Sequence, residues 1–289
     1  LSLVIGAMKF LVFCKLLEMN LSIIIKKVLR LFIRPIEVYS PVYTLAESDL
    51  LKDKNVVITG GGSGIGRATA ILASKKGANV VILGRNEQSL KETVSLCSGK
   101  CKYYVCDLTT EDYSQLFSKL ESILGSPVNV LVNNAGIYVN KDMLSYTKED
   151  FEKTISLNTG AVFFLTQAFV QYCLQHNIKG NIVVTSSNRS FMGDVGPYGM
   201  SKSAVNNFIQ GYAREFVLSG IRCNGVAPGM TASNINQVSV SGNLYNSGSR
   251  GKRVLLPDEI AEVICFLASD ISKCITGAVI PCDEGDFLR

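Results

Sequence analysis

The 289-residue chain has no tryptophan and a single histidine, His176. One histidine excludes a His-rich metal site and a Ser-His-Asp triad. His176 itself reads as a polar residue at a helix end. Only 18% of the residues are charged and the net charge is a modest +5. No block of basic residues interleaves with aromatics, so nucleic-acid binding is not expected. No uninterrupted apolar run reaches the ~18 residues of a membrane-spanning helix. Cysteine is plentiful, at nine, but the number is odd and the Cys97, Cys101, Cys106 spacing fits no zinc pattern. No metal is therefore expected. The cysteines read as mostly buried, reduced thiols of a reducing compartment, which suits a cytoplasmic protein. With 47% hydrophobic residues the chain can bury a sizeable core.

Residues 1–48 differ from the rest. Leu3 to Cys14 is apolar except for Lys9, and no convincing signal-cleavage site follows. Leu21 to Ile33 is apolar again, broken by Ser22, Lys26, Lys27 and Arg30. A helix there, across residues 1–36, has a basic side and an apolar side. It suits peripheral contact with an anionic membrane surface, or packing on the domain or on a partner subunit. Met8 and Met19 are alternative starts, so the first 18 residues are either native or foreign. The remainder, 49–289, reads as one domain.

From Lys54 the pattern changes. The β-branched run Asn55-Val56-Val57-Ile58 leads into Thr59-Gly60-Gly61-Gly62-Ser63-Gly64-Ile65-Gly66 and then a helical stretch. Strand, glycine turn and helix together suit a pyrophosphate. Gly60 permits the tight turn, Gly64 the close approach of backbone to phosphate, and Gly66 the packing of helix on strand. Unpaired N–H groups at the helix start complete the cradle. A second strand, Asn79 to Leu83, ends on Gly84-Arg85, where a carboxylate would read the ribose of NAD. Arg85 favours the 2′-phosphate of NADP, or is an ordinary solvated strand-end residue. Strands at Lys102–Cys106 and Asn129–Val132 follow, with a helix over Thr110–Leu124 between them. The first leads to Asp107, placed for the adenine edge. The second leads to Asn133-Asn134-Ala135-Gly136, which lines a cofactor crevice, ties strands together, or does both. A helix containing Asn158, a long helix from Ala161 to His176, and the strand Asn181–Thr185 come next.

Beyond Ser186-Ser187 stand Tyr198 and Lys202, four apart at the start of another helix and so on one face. A phenol is too weak an acid for easy proton transfer at neutral pH, and a fixed ammonium favours its ionised form. The pair reads as an activated tyrosine. Taken in order, the Thr59–Gly66 turn, Asp107, Asn133–Gly136, Asn158, Ser186-Ser187, Tyr198 with Lys202, and Pro228-Gly229 resemble the short-chain dehydrogenase/reductase family. The resemblance extends over roughly Leu51 to Gly285 and is greatest for members like 3-oxoacyl-carrier-protein reductases.

That resemblance implies an α/β fold, a single Rossmann-type doubly wound parallel sheet with helices on both faces. It implies an oxidoreductase moving a hydride between a nicotinamide, NADP(H) favoured over NAD(H), and a small carbonyl or secondary alcohol. Tyr198 would be the general acid or base, and Lys202 would lower its pKa and hold the ribose. Ser187, or else Ser186, would bind the substrate oxygen, and Asn158 would hold a water. Gly60, Ser63, Gly64, Ile65, Gly66, Arg85, Asp107, Leu108, Asn134, Gly136, Pro228, Gly229 and Thr231 would line the cofactor. A substrate lid would span 232–252, polar and glycine-dotted unless it is a plain surface loop. Long helices would join a homo-dimer or homo-tetramer. Two features depart from the family pattern. Tyr198 follows Ser187 by only eleven positions, and Cys282-Asp283-Glu284-Gly285 replaces a Val-Asp-Gly-Gly-like ending. An epimerase or dehydratase using the same site, or a protein that merely senses NADP(H), are the alternatives.

Overall fold

The computed structural model describes residues 49–233 and 242–288. The helix expected in the first 48 residues, and residues 234–241 of the expected lid, lie outside the described residues. No helix among the described residues is long and apolar enough to cross a membrane.

Among the described residues, seven strands are interleaved with seven α-helices. The strands are β1 (Asn55–Thr59), β2 (Asn79–Gly84), β3 (Cys101–Val105), β4 (Val130–Asn133), β5 (Asn181–Thr185), β6 (Arg222–Pro228) and β7 (Val279–Cys282). The helices are α1 (Gly64–Lys75), α2 (Glu87–Leu96), α3 (Leu116–Leu124), α4 (Lys148–Ile155), α5 (Val162–Gln175), α6 (Pro197–Phe216) and α7 (Pro257–Ala268). The sheet order is β3-β2-β1-β4-β5-β6-β7 and every pairing is parallel. The expected doubly wound fold is therefore what the chain forms.

Two cores follow from the two-residue period of the strands. Val57, Val81, Leu131 and Ile182 pack with α3, α5 and α6. Their neighbours Val56, Val80, Val130 and Val183 pack with α1, α2 and α7 on the other face. Strands buried on both faces read as continuous β-branched runs, as Asn55–Thr59 does. The connection between β1 and β4 in the sheet is where the winding reverses, and open sheets of this kind bind ligands at that edge.

Local chemistry sets the helix starts. Pro197 and Pro257 occupy first-turn positions, where a missing N–H costs nothing. Thr147 and Asp150 form a reciprocal cap on α4. The helix expected from Thr110 starts only at Leu116. Asp107 accepts from the Thr109 N–H at 2.9 Å and Asp112 from the Ser114 N–H at 3.0 Å. These short side-chain bonds hold the intervening backbone in turns.

Candidate active site

The loops at the carboxyl ends of the strands enclose a cleft of about 1480 Å³. With one exception, every residue expected at the cofactor lines it. The exception is Gly66, which serves packing instead. A Cβ there would overlap the Gly60 carbonyl and crowd Asn134 Nδ2 at 2.6 Å. Gly60 and Gly64 sit at φ 68° and 51°, the left-handed region that L-residues disfavour by about 1–2 kcal/mol. The start of α1 has no side-chain cap and no acidic residue in its first turn. Its backbone donors are thus left for an anion, and Ser63, Gly64 and Ile65 line the cleft there.

Thr59 holds the next part together. Its hydroxyl accepts the N–H groups of Asn134 and Ala135, each at 2.9 Å. Asn134 Nδ2 donates to Thr59 O at 3.0 Å, and Thr185 Oγ1 donates to Asn134 Oδ1 at 3.3 Å. Asn134 therefore ties β1, β4 and β5 together while also lining the cleft.

At the end near β2 and β3, Arg85 stands exposed with Nη1 3.7 Å from Asp107 Oδ2. The Thr109 N–H and hydroxyl, then Arg85, hold the Asp107 carboxyl below its ordinary range.

The opposite end is dry. Ser187 Oγ accepts the Arg189 N–H at 3.2 Å and is hydrogen-bonded to Tyr198. Ser186 faces elsewhere: its hydroxyl donates to Asn206 Oδ1 at 2.6 Å, against α6. Lys202 is buried, its Nζ donating to Thr185 O at 2.7 Å and lying 5.8 Å from the centroid of the Tyr198 ring. Burial lowers the Lys202 pKa to about 8.

The tyrosine departs from expectation. Burial raises the Tyr198 pKa above its ordinary value, while the Ser187 hydrogen bond and the Arg189 charge pull the other way. The Lys202 ammonium beside the ring is engaged with the Thr185 carbonyl. The edge of Tyr138 against the Tyr198 ring, centroids 5.1 Å apart, adds to the apolar surroundings.

Asn158 stands behind the cleft and does not line it. It lies in a wide π-helical turn, Ser156–Ala161, between α4 and α5. Its Oδ1 accepts the Ile137 N–H at 2.9 Å, and its Nδ2 donates to Ile137 O at 2.9 Å and Ser201 Oγ at 3.2 Å. It thereby clamps the loop after β4 onto α6. A Cβ placed on Gly136 would lie 3.2 Å from Asn158 Oδ1 and 3.6 Å from Lys202 Nζ, so both groups border one small space beside Gly136.

Several contributors carry no sequence signal. The Thr185 acceptor is a backbone carbonyl. Asn188, next to Ser187, donates to Asp283 Oδ2 at 3.2 Å, across 95 residues of chain. Asp283 also crowds Gly229, where an added Cβ would come within 2.8 Å. Glu284 sits at φ 53°, where the usual ending has glycine, and its carboxylate takes the Arg253 Nε–H at 2.7 Å. Arg253 also pairs with Glu259 at 2.8 Å on α7. The described residues on either side of 234–241 are held by a small cluster of Ala232, Leu244, Val254 and Leu256.

A family model described as short chain dehydrogenase matches residues 54–243. The chain belongs to the short-chain dehydrogenase/reductase family. A 3-oxoacyl-[acyl-carrier-protein] reductase of Thermotoga maritima is 35% identical over 243 residues, covering 81% of this chain and 98% of that protein. The L-rhamnose 1-dehydrogenase (NAD(P)(+)) of Azotobacter vinelandii is 34% identical and covers 83% and 99%. A crystal structure of a short-chain type dehydrogenase/reductase from Mycobacterium marinum superposes with a TM-score of 0.74 at 26% identity, covering 83% of this chain and 97% of that one. The short-chain dehydrogenases are oxidoreductases that use a nicotinamide cofactor. The uncapped start of α1, the glycines at positive φ and the long cleft fit such a dinucleotide. Among the described residues no His, Cys, Asp or Glu group could hold a metal ion.

Proposed function

We propose that this short-chain dehydrogenase moves a hydride between NADP(H) and a polar, modest-sized carbonyl or secondary alcohol, with Tyr198 as general acid or base. The observation that carries this reading is that Ser187, Tyr198 and buried Lys202 together line one end of a cleft whose other end is the glycine turn. The bound nicotinamide supplies or accepts the hydride. Ser187 orients the substrate oxygen, and Tyr198 gives that oxygen a proton in reduction or removes one in oxidation. Lys202 holds a cation behind the phenol and donates to the ribose hydroxyls by leaving Thr185 O. Asn158 Oδ1 and Lys202 Nζ border a space suited to a bridging water, which would pass protons onward.

The preference for NADP rests on Arg85. Its contact with Asp107 is long and exposed, so the guanidinium can turn to a 2′-phosphate at little cost. Oligomerisation is part of the same reading. Phe163 and Phe164 on α5 are exposed and continue an aromatic row with Phe208, Tyr212 and Phe216 on α6, a surface suited to a second copy of the chain.

The experiment is a panel of carbonyl compounds and alcohols assayed with NADPH and NADP, on wild type and Tyr198→Phe, with cofactor binding measured in parallel. Turnover by wild type only, with equal binding in both, supports the reading. Cofactor binding without turnover on any compound in either direction would favour a sensor of the cofactor.

A further inference from the structure

Beside the dry end of the cleft one charge stays in water and serves neither the glycine turn nor the proton transfer. Arg189 lines the cleft two positions after Ser187, in a short 3₁₀ turn, Asn188–Phe191. Its N–H is the donor that Ser187 Oγ accepts at 3.2 Å. The turn is fixed to α6. Ser190 Oγ donates to Ser187 O, and Asn206 Nδ2 donates to Ser190 Oγ at 2.7 Å. Arg189 thus starts from a held backbone directly beside the serine proposed to bind the substrate oxygen.

Its side chain is held from the tyrosine's helix. Arg189 Nη1 lies 3.6 Å from Asp194 Oδ2. Asp194 precedes Tyr198 by four positions, and its side chain is 11% exposed against 51% for Arg189. Its other oxygen, Oδ1, accepts the Gly196 N–H at 2.9 Å, and a Cβ on Gly199 would overlap its side chain. Glycine at 199 is what lets the carboxylate rest on the first turn of α6. Arg189 therefore spans from Ser187 to the start of the helix that carries Tyr198. The contact with Asp194 is longer than a hydrogen bond. Among the described residues Asp194 is its one ion-pair partner. A half-exposed guanidinium with one long contact keeps most of its N–H donors for a ligand.

The remaining charges on the cleft wall have other neighbours. Arg85 and Asp107 stand together at the wet end. Glu152 pairs with Lys148 at 3.5 Å, and Asp286 accepts from Asn188 Nδ2 at 3.4 Å and from the Arg250 N–H at 3.2 Å. Glu149 and Lys153, four apart on α4, share one face of it and both line the cleft. We propose that Arg189 is a specificity-determining residue and that the substrate is a short oxo acid, or the corresponding hydroxy acid. Its carboxylate pairs with the Arg189 guanidinium while its carbonyl or hydroxyl oxygen meets Ser187 and Tyr198. This names the substrate class of the oxidoreductase reading above and rests on that reading. A guanidinium and a carboxylate match in a planar, two-bond fork. The span from the serine to the fork is that of one arginine side chain, which suits an acid group a few bonds from the carbonyl. The carboxylate orients the carbonyl for hydride and proton transfer and changes no bond itself.

Matched acids and esters test this. Short oxo acids and the methyl esters of the same acids are assayed with NADPH on wild type, Arg189→Gln and Arg189→Lys. Wild type should favour each acid over its ester by ~10–100-fold in kcat/KM, the worth of a charge-assisted pair. That ratio should collapse toward about one in Arg189→Gln, through KM more than kcat, and recover in part in Arg189→Lys, which restores the charge but not the fork. NADPH binding and a melting curve report that each variant folds. A second measurement needs no variant. In wild type the KM for the acid should rise ~3-fold or more between ~0.05 and ~0.5 M salt while that for the ester stays level, because salt screens a half-exposed ion pair. Esters turned over as well as acids would overturn the substrate class and leave the oxidoreductase reading standing. So would an acid preference that Arg189→Gln leaves unchanged, or faster turnover of amine-bearing carbonyl compounds, recruited by Glu149. No turnover of either acid or ester, nor of the corresponding alcohols with NADP, would overturn both readings.

Discussion

The cleft has a wet end and a dry end, and the two use charge in different ways. At the wet end, Arg85 and Asp107 side chains are 65% and 36% exposed and 3.7 Å apart. Water screens such a pair, so it contributes little to stability and is free to be re-used by a ligand. At the dry end, Lys202 is 3% exposed and Ser187 6%. Burial there shifts the protonation of both Tyr198 and Lys202. A charge held out of water costs stability, and that cost is tolerated where a proton must be moved. On the function proposed above, one cleft would separate cofactor choice, made by exposed and replaceable charges, from chemistry, made by buried and fixed ones.

Substitutions at the two ends should separate the same way. The largest effect is expected for Tyr198→Phe, which removes only the phenolic oxygen. Turnover should fall by ~10²–10⁴-fold, while NADPH affinity stays within a factor of ~2. A parallel loss of binding, seen by fluorescence titration, would break the division between the ends. Next come the two serines. Ser187→Ala should lower kcat by ~10²-fold through loss of the donor at the substrate oxygen. Ser186→Ala should act on thermal stability instead, since its hydroxyl serves Asn206. Steady-state kinetics beside melting curves distinguish them.

At the wet end, Arg85→Asp should move the NADPH-to-NADH affinity ratio by ~10–100-fold toward NADH with kcat preserved. Unchanged affinities for both cofactors would remove the NADP preference from the proposal. The smallest effect is a pH dependence. Folded Lys202 gives up its proton near pH 8, below its ordinary 10.5, so the unfolded chain binds more protons between these values. Wild-type stability relative to Lys202→Met should be lowest below about pH 8, rise with pH, and level off near 10.5. A flat difference in chemical denaturation across that window would mean that Lys202 is not held dry.

Local chemistry was legible in the sequence, and tertiary chemistry was not. The glycine turn was readable because Gly60 and Gly64 are needed by the backbone where they stand, within a strand–turn–helix that repeats on through β5. The sheet followed, because strands buried on both faces must be apolar throughout. Tyr198 and Lys202 were found by their spacing along one helix. The depth of their burial and the Thr185 carbonyl that Lys202 meets were not legible, because neither is written in a side chain. The choice between Ser186 and Ser187 needed Asn206, twenty residues on, to claim one of them. Glu284 in place of glycine looked like a departure. It becomes intelligible with Arg253 beside it, which ion-pairs the Glu284 carboxylate at this left-handed position. The packing role read for Gly66 is met where a Cβ would overlap the Gly60 carbonyl, whereas the clamp that Asn158 makes on the loop after β4 was not legible because its partners are the backbone of Ile137 and the Ser201 hydroxyl.

The most direct measurement follows the hydride itself. Wild type is incubated with NADPH carrying deuterium on the transferable position of the nicotinamide, together with the carbonyl panel, and the products are read by mass spectrometry. Deuterium on the former carbonyl carbon of at least one product, absent with Tyr198→Phe although the cofactor still binds, is the predicted result. No deuterated product from any compound, with NADPH bound at full occupancy, would contradict it.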